Sequence, residues 1–371
     1  MVDGGETERK EAPDPPDSTL PSPGAEAAPE QASVDSFLRA AAHISEFGIS
    51  EEPGLQGGHG RAIARGDLTA GAIIAKRYRL ERELGRGGMG VVWEATHQVT
   101  RRRVAMKFVI GPAELRADLR RRFLREARAA SAANHPNVVE VLDVFELDDG
   151  TPVMVMELLL GETLRERLVH ERKLPLAVTA SVLLPVAAAV GTAHSLGIVH
   201  RDLKPENIFL VAGADMAGGV KVLDFGVAKL LSTDGDAADT ASLTGTGSAL
   251  GTPCYMAPEQ ATGEKDIDAR ADIWAIGVIA YECLAGMRPV EGSGIGKVVM
   301  KLMTEGIKPI DQVVTDLPAE ASALVMRMLA RDRSERPQDL VEVQRVLAKF
   351  TSIEPRPFDA QSPPAIPGDE K

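Results

Sequence analysis

The sequence predicts an α+β protein in which β-strands come first and helices follow. Tyr78–Leu84 and Val91–Thr96 flank a glycine-rich turn and are predicted to be β-strands, and the residues after the turn are β-prone. Val153–Glu157 is a short apolar run that fits a buried strand. Residues 177–199 contain no Asp, Glu, Lys or Arg, which is typical of a helix that is buried on all sides.

Composition restricts the class of protein. The chain has 371 residues, 44% of them hydrophobic, which is enough for a core of two lobes plus tails. Its two cysteines, Cys254 and Cys283, cannot form a disulfide framework, so a reducing cytoplasmic location is expected. The N-terminus has no signal pattern, and no basic stripe interleaved with aromatic residues indicates nucleic-acid binding.

The acidity of the chain belongs to its N-terminal tail. Residues 1–60 hold 12 acidic residues and 3 Lys or Arg, a net charge of −9 out of −12 for the whole chain. Residues 1–75 and 351–371 are rich in Pro, Gly and polar residues, so we expect both to be disordered. The charge is therefore no evidence about a binding site in the folded part.

One segment of the N-terminal tail has a helical pattern. Between residues 33 and 47, apolar residues recur at spacings of three, four and seven. Two interpretations stay open: a short transient helix, or a docking helix through which the tail binds the folded domain or a regulatory partner. The apolar positions are Val34, Phe37, Leu38, Ala41, Ile44 and Phe47.

The uncharged segment 177–199 is long enough to span a bilayer, but we do not predict a membrane span. Pro185, Gly191 and His194 interrupt the apolar run, which leads directly into the polar residues that begin at His200. A helix in the core of the protein explains this composition better, and the rest of the chain offers no other candidate.

Two short motifs carry the strongest chemical signal. Residues 200–207 read His-Arg-Asp-Leu-Lys-Pro-Glu-Asn, and residues 224–226 read Asp-Phe-Gly. Together they supply a carboxylate base, a cation and two oxygen ligands for a hard metal ion, a set that suits phosphoryl transfer. These residues are, in that order, Asp202, Lys204, Asn207 and Asp224.

With these motifs the chain resembles the protein kinases, and in particular the serine/threonine kinases of bacteria. The resemblance covers roughly residues 78–350 and includes about seven motifs in the family's order. It implies a two-lobed fold: a small antiparallel sheet with one helix over about 78–158, and a larger, mainly helical lobe over about 159–350. It also implies ATP as the phosphate donor, with Mg²⁺ or alternatively Mn²⁺ as the metal.

The glycine-rich turn fits the nucleotide site of that family. Its GxGxxG pattern alone is weak evidence, but a dinucleotide fingerprint opens a helix, whereas β-prone residues follow this turn. The glycines let backbone N–H groups approach phosphates. The predicted ATP-binding residues are Leu84, Gly85, Arg86, Gly87, Gly88, Met89, Gly90, Val91, Val92, Ala105, Lys107, Met156, Glu157, Leu159 and Phe209.

Lys107 follows the turn in a Val-Ala-Met-Lys run. Strand alternation places Ala105 and Lys107 on one face, where Ala105 leaves room for adenine. By resemblance, Lys107 contacts the α- and β-phosphates, and Glu126 in the charged helix Leu115–Ala133 pairs with it. Met156 resembles the gatekeeper, and the backbone groups of Glu157 and Leu159 would bond adenine.

The resemblance also implies the catalytic roles. Asp202 would accept the proton of the substrate hydroxyl, and Lys204 would neutralise charge on the transferred group. Asn207 and Asp224 would hold the metal. Phe209 would form the floor beneath the adenine base.

Residues 251–259, Gly-Thr-Pro-Cys-Tyr-Met-Ala-Pro-Glu, resemble the end of a kinase activation segment. Thr252 resembles the residue that contacts the base and lysine of Ser/Thr kinases, and Glu259 the partner of a buried Arg336. Asp272 resembles the anchor of the catalytic-loop backbone. Thr244 and Thr246 are the candidate autophosphorylation sites, with Arg201 as partner of the phosphate.

The sequence therefore predicts a serine/threonine protein kinase that acts on protein substrates. A pseudokinase or scaffold that binds nucleotide and partners without catalysis is the alternative. Such proteins usually lose the strand lysine, the base or a metal ligand, and all of these are present here. A kinase for small molecules would not need the peptide platform at residues 251–259.

Overall fold

The computed structural model describes residues 68–87, 90–109, 130–214, 219–224, 252–292 and 294–352, together with Met1 and Phe123. The predicted helix at 33–47 lies outside these residues, as does nearly all of both predicted tails. Phe123 and residues 130–132 are helical, and both lie within the helix predicted over Leu115–Ala133.

The first lobe is built on an antiparallel sheet of six strands in the order β1-β2-β3-β4-β6-β5. The strands predicted from sequence are confirmed, and β2 runs three residues beyond its predicted end because it pairs with β3 as far as Gly87 and Gly90. The strands are β1 (Ile73–Ile74), β2 (Tyr78–Gly87), β3 (Gly90–His97), β4 (Arg103–Val109), β5 (Val141–Glu146) and β6 (Pro152–Glu157).

The ordered fold begins earlier than the sequence analysis predicts. The predicted disordered tail 1–75 includes residues 68–75, but β1 pairs with β2, and Ile74 lies opposite Tyr78. Leu68 and Ile74 are buried in the same apolar cluster as Tyr78 and Leu80. The glycine-rich composition of 51–75 hid these few apolar residues, so the predicted boundary was wrong.

The second lobe is mainly helical, with a small sheet of three antiparallel strands beside the first lobe. This arrangement confirms the predicted α+β, two-lobed fold. The three strands are β7 (Gly161–Thr163), β8 (Ile208–Val211) and β9 (Val220–Val222). The helices are α1 (Leu164–Glu171), α2 (Leu176–Ser195), α3 (Pro258–Ala261), α4 (Arg270–Ala285), α5 (Ile295–Thr304), α6 (Ala319–Met328) and α7 (Leu340–Leu347).

Helix α2 is the apolar helix that the sequence predicts, and its burial in the core is confirmed. By length and composition it could cross a membrane, but 78% of its most apolar stretch is buried inside the protein. It packs against α7 and α4, and α4 itself is buried along nearly its whole length. These two helices form the centre on which the catalytic loop rests.

A buried ion pair ties the segment after the activation loop to the rest of the helical lobe. The two Arg336 Nη atoms donate to the two carboxylate oxygens of Glu259 over 2.6 and 2.8 Å. Both side chains are at most 5% exposed, and the guanidinium lies over the Trp274 ring at 5.0 Å. The pair predicted from sequence is therefore confirmed, with the fork geometry that an arginine provides.

Removing Arg336 should destabilise the folded protein far more than removing an exposed arginine. We expect Arg336→Ala to lower the free energy of unfolding by about 3–5 kcal/mol, because the Glu259 charge would stay buried without a partner. Urea unfolding measures this loss.

The matched control is Arg327→Ala. Arg327 pairs with Glu342 at the surface, where it is half exposed, so its removal should cost less than about 1 kcal/mol. Equal losses for the two variants would contradict the importance given to the buried pair.

Candidate active site

An apolar cluster lies between the two lobes and contains six of the predicted nucleotide-binding residues. Strands β2, β3, β4 and β6 contribute from the first lobe, and β8 contributes from the second. Phe123, which is helical, also belongs to the cluster. The six residues are Leu84, Val92, Ala105, Met156, Leu159 and Phe209.

The glycine-rich turn joins two paired strands, as the sequence predicts. Gly85 lies opposite Val92, and Gly87 lies opposite Gly90. A Cβ atom on Gly90 would be 2.0 Å from the carbonyl oxygen of Phe108, so only glycine allows β3 to approach β4 this closely. Gly88 and Met89 at the tip lie outside the described residues.

Lys107 and Asp224 are in direct contact, although the predicted role of Lys107 is to contact phosphates and that of Asp224 is to hold a metal. The Lys107 Nζ atom donates to Asp224 Oδ2 over 3.0 Å, and both side chains are nearly buried. Asp224 has a backbone φ of +39°, an unfavourable conformation for an aspartate that the surrounding packing must hold. Glu126, the predicted partner of Lys107, lies outside the described residues, so that pairing stays a prediction.

Asp202, Lys204 and Asn207 come together on one loop. The Lys204 Nζ atom lies 3.2 Å from Asp202 Oδ2, and Asn207 Nδ2 donates to the Asp202 carbonyl over 2.8 Å. Leu223 donates its N–H to the Asn207 carbonyl over 2.8 Å, which brings the residue next to it, Asp224, beside this loop. The four residues that the sequence selects for catalysis and metal binding therefore lie side by side.

The oxygen atoms at this point suit a divalent cation. Asn207 Oδ1 is buried and has no hydrogen-bond partner among the residues that the structure describes. Those residues contain no group of three or more His, Cys, Asp or Glu that could hold a metal by itself. One amide oxygen and one carboxylate are the sparse, hard ligand set that Mg²⁺ accepts when phosphate oxygens and water complete its shell.

Asp272, at the start of α4, holds the backbone of the catalytic loop. Its Oδ2 atom accepts hydrogen bonds from the His200 N–H at 2.7 Å and from His194 Nε2 at 2.8 Å. Its Oδ1 atom accepts from the Arg201 N–H at 2.8 Å. The anchoring role predicted for Asp272 is confirmed. One of the N–H groups that it holds belongs to Arg201, whose backbone φ of +62° is strained for a residue other than glycine.

Asp272 binds as a carboxylate. Burial alone would raise the pKa of Asp272, but the hydrogen bond from His194 and the interactions with His200 outweigh burial and hold it below its ordinary value. The stability that this carboxylate contributes is thus present above the ordinary Asp pKa. It is lost as the pH falls through the lowered pKa.

His200 is neutral and bridges the two motifs. Burial lowers the pKa of His200, and the charges of Asp272 and Asp202 oppose this shift only in part. Its Nδ1 atom accepts from the Asp202 N–H at 3.3 Å, and its Nε2 atom lies 3.2 Å from the Leu223 carbonyl. Because Nδ1 faces a donor and Nε2 an acceptor, the proton belongs on Nε2.

Val91, a predicted ATP-binding residue, is buried with Trp93 and Met106 in the other apolar cluster of the first lobe, not in the cluster between the lobes. Met156 faces Ala105 across the sheet, and Glu157 ends β6, where its carboxylate accepts from Lys221 Nζ over 2.5 Å. The backbone of Thr252 begins a 3-10 turn that ends at Tyr255. The Thr252 side chain, Thr244 and Thr246 lie outside the described part.

Sequence reasoning missed three features near the site. His194 appears in the sequence only as an interruption of an apolar helix, although a buried polar side chain there requires some hydrogen-bond partner. The Lys221–Glu157 pair and the contacts of Arg165 join residues far apart in the chain. No local pattern indicates such pairs.

Comparisons with known proteins agree with this geometry. The protein kinase domain family matches residues 78–348. The serine/threonine-protein kinase pkn3 of Myxococcus xanthus is 38% identical over 276 residues, which cover 73% of this chain and 49% of the relative. The probable serine/threonine-protein kinase PknB of Corynebacterium glutamicum is 36% identical over 286 residues, which cover 75% of this chain and 43% of the relative.

A third relative is covered over more of its length. The serine/threonine-protein kinase PknA of Mycobacterium tuberculosis is 35% identical over 298 residues, which cover 79% of this chain and 66% of the relative. This chain thus spans less than half of pkn3 and PknB, and about two thirds of PknA. By the family match and these relatives, the chain belongs to the protein kinase family and is similar to its bacterial serine/threonine kinases.

Proposed function

We propose that the protein transfers the γ-phosphoryl group of ATP to serine and threonine hydroxyls of other proteins. The observation that carries this proposal is the convergence of five residues beside the apolar cluster between the lobes: Lys107, Asp224, Asp202, Lys204 and Asn207. Kinases of this family use ATP with a divalent metal. The hard oxygen ligands favour Mg²⁺ here, with Mn²⁺ as a substitute.

The cleft would bind ATP in two parts. The adenine base lies among the six apolar residues, with Phe209 beneath it and the backbone of Glu157 and Leu159 at its edge. The glycine turn covers the phosphates, and Lys107 contacts the α- and β-phosphates. Asp224 pairs with Lys107 over 3.0 Å, so the group proposed to contact the phosphates lies beside a group proposed to hold the metal.

The reaction needs little covalent chemistry from the protein, because its transition state is largely charge that must be held in place. Asp202 orients the acceptor hydroxyl and takes its proton, and Lys204 offsets the charge on the transferred group. Asn207 and Asp224 would hold the metal, which would supply positive charge to the phosphate oxygens. Glu126 is proposed to restrain Lys107.

The segment after the activation loop supports a protein rather than a small molecule as substrate. Its 3-10 turn, Thr252–Tyr255, leads into α3, which the Glu259–Arg336 pair fixes to the lobe. Gln260 Nε2 donates to the Arg201 carbonyl over 3.0 Å, so this platform is tied directly to the catalytic loop. Cys254 is buried and would form part of the groove wall, and Thr252 would contact Asp202 and Lys204.

Activation is proposed to follow phosphorylation of Thr244 or Thr246. Arg201 Nε is buried without a hydrogen-bond partner among the described residues, so this side chain keeps a donor for a phosphate. The N-terminal tail is the proposed contact for a regulatory partner. The buried free thiols of Cys254 and Cys283 fit the proposed cytoplasmic location.

Loss of the base should lower the rate of phosphoryl transfer strongly but leave nucleotide binding largely unchanged. With radiolabelled ATP and Mg²⁺ or Mn²⁺, we expect the wild type to label itself or a generic protein. We expect Asp202→Ala to lower the rate by about 10²–10⁴-fold, because general-base catalysis is lost. ATP affinity, measured by calorimetry, should change little.

Asp143→Asn is the control for this experiment, because it removes a carboxylate that pairs with Arg77 away from the cleft. It should keep the wild-type rate. Undiminished transfer by Asp202→Ala would overturn the base assignment. A wild-type protein that labels no polypeptide under these conditions would overturn the proposed function.

Lys107→Met should also depress transfer. The variant removes the cation that positions the phosphates and leaves Asp224 without this partner, so we expect the rate to fall by about a hundredfold or more. Steady-state kinetics with a protein substrate measure the loss. Lys349→Met, which removes an exposed lysine paired with Glu320, should leave the rate unchanged. An unaffected rate in Lys107→Met would contradict the role in phosphate binding.

A further inference from the structure

The helical lobe has a cavity of about 1310 Å³, and the described residues that line it include none of those predicted for catalysis or nucleotide binding. Its walls are formed by α1, the beginning of α2, the strands β7 and β8, and the chain that follows α7. The apolar wall residues Val178, Val211 and Phe350 are only partly buried, and Ala177 and Ala212 are exposed. Apolar side chains left open around one concave surface are typical of a binding site.

The chain itself leads into this cavity at the end of its described part. The 3-10 turn Ala348–Phe350 is followed by Thr351, whose φ of −138° and ψ of 159° are extended. Thr351 Oγ1 lies 2.7 Å from Ser181 Oγ on α2, and one of the two hydroxyls donates to the other. Both residues line the cavity together with Ser352. The next residue, Ile353, therefore follows directly from the cavity wall.

Residues 353–358 have a sequence that suits the cavity. They read Ile-Glu-Pro-Arg-Pro-Phe, so one apolar side chain stands at each end. The two prolines favour an extended polyproline conformation, which rises about 3.1 Å per residue. In that conformation six residues span about 19 Å, whereas a sphere of the cavity's volume is about 14 Å across. The segment is thus long enough to bring Phe358 to the far wall.

Charge and tethering favour this segment over the N-terminal tail. Apart from one histidine, the described charged residues of the walls are two cations and two carboxylates, and residues 353–358 likewise hold one acid and one base. Residues 1–60, with a net charge of −9, gain no attraction from such a surface. A segment attached at the cavity has an effective concentration on the order of 1 mM. The charged wall residues are Glu162, Glu166, Arg167 and Lys349, and the histidine is His170.

We infer that residues 353–358 bind in this cavity of their own chain as a C-terminal strap. Ile353 and Phe358 cover the apolar walls, and the chain between them crosses the cavity in an extended conformation. The segment is too polar to order itself in isolation, and the apolar surface that it buries against the walls offsets the cost of ordering. The strap thereby joins the end of the chain to α1, α2 and the strand pair β7–β8.

The test measures how fast chymotrypsin releases residues 359–371 from the full chain, in parallel with a free peptide of residues 353–371. Cleavage after Phe358 requires this side chain to enter the protease, so the rate follows the fraction of chains in which the strap is open. We expect the full chain to be cleaved about tenfold or more slowly than the peptide, because the strap is open in about a tenth of the chains or fewer.

Two variants of the cavity region locate the contact. Val178→Asp places a charge in the apolar wall and should restore the cleavage rate of the free peptide. Val169→Asp is the matched control, because Val169 on α1 is 69% exposed and does not line the cavity. It should keep the protection of the wild type.

A second pair of variants lies in the segment itself and serves where Val178→Asp does not fold. Ile353→Asp removes one of the two apolar contacts and should also restore fast cleavage after Phe358. Ile366→Asp, at an apolar residue farther along the same segment, should leave the protection unchanged. Ile353 follows the last described residue, so its substitution does not change the core of the lobe.

Cleavage of the wild type at the rate of the free peptide would overturn the inference. Protection that persists in Ile353→Asp, or in a folded Val178→Asp variant, would overturn it as well, because the segment would then rest elsewhere. Protection that is lost on dilution of the protein would assign the contact to a second copy and would also contradict a strap within one chain. These measurements need neither ATP nor a protein substrate, so their result is independent of the proposed function.

Discussion

The buried carboxylate of Asp272 is the interaction on which the active site depends. It accepts three hydrogen bonds, two of them from consecutive backbone N–H groups of the catalytic loop. Leaving such N–H groups buried without partners would cost about 1–3 kcal/mol each, so the carboxylate specifies one conformation of this loop. In that conformation Arg201 has a positive φ, and Asp202 turns toward Lys204.

Further contacts connect the catalytic loop to the other parts of the active site. His200 connects the catalytic loop to the backbone beside Asp224, and Asp224 pairs with Lys107 on β4 of the six-stranded sheet. Gln260 connects the loop to the peptide platform, which the buried Glu259–Arg336 pair fixes in turn. Buried charges add little net stability when they are paired, but they penalise every arrangement that separates them. The result is a set of groups positioned before either substrate binds.

Much of this arrangement could be predicted from the sequence because its parts are local motifs. The glycine turn between two strands, the apolar helix and the residues 200–207 each have a pattern that indicates one structure. The Glu259–Arg336 pair and the anchor Asp272 could be named only through the family resemblance, since their partners lie far away in the chain. The boundary at residue 75 was missed because Leu68 and Ile74 gain their burial from the sheet, not from their neighbours in sequence.

The contacts that sequence could not predict are those whose partners are chosen by tertiary packing. The sequence predicts that Lys107 contacts phosphates and that Asp224 holds a metal, and only the fold shows that Lys107 Nζ lies 3.0 Å from Asp224 Oδ2. No sequence pattern indicates the contacts of Arg165. Its hydrogen-bond partners, Glu206, Tyr255 and Glu282, belong to elements that are far apart in the chain. Such pairs depend on how the helices, strands and loops pack against one another, and the spacing of hydrophobic residues along the sequence does not indicate that packing.

The most direct test of the central role of Asp272 is the turnover of an Asp272→Asn variant that is shown to be folded by its circular dichroism and unfolding transition. Asparagine keeps the shape but presents an amide donor to backbone donors. The account predicts a fall of about a hundredfold or more in kcat, as expected when reacting groups are misplaced by about 1 Å. Asp268→Asn, at an exposed carboxylate that pairs with Arg270 just before α4, should keep the wild-type rate. A folded Asp272→Asn protein with wild-type turnover would contradict the account.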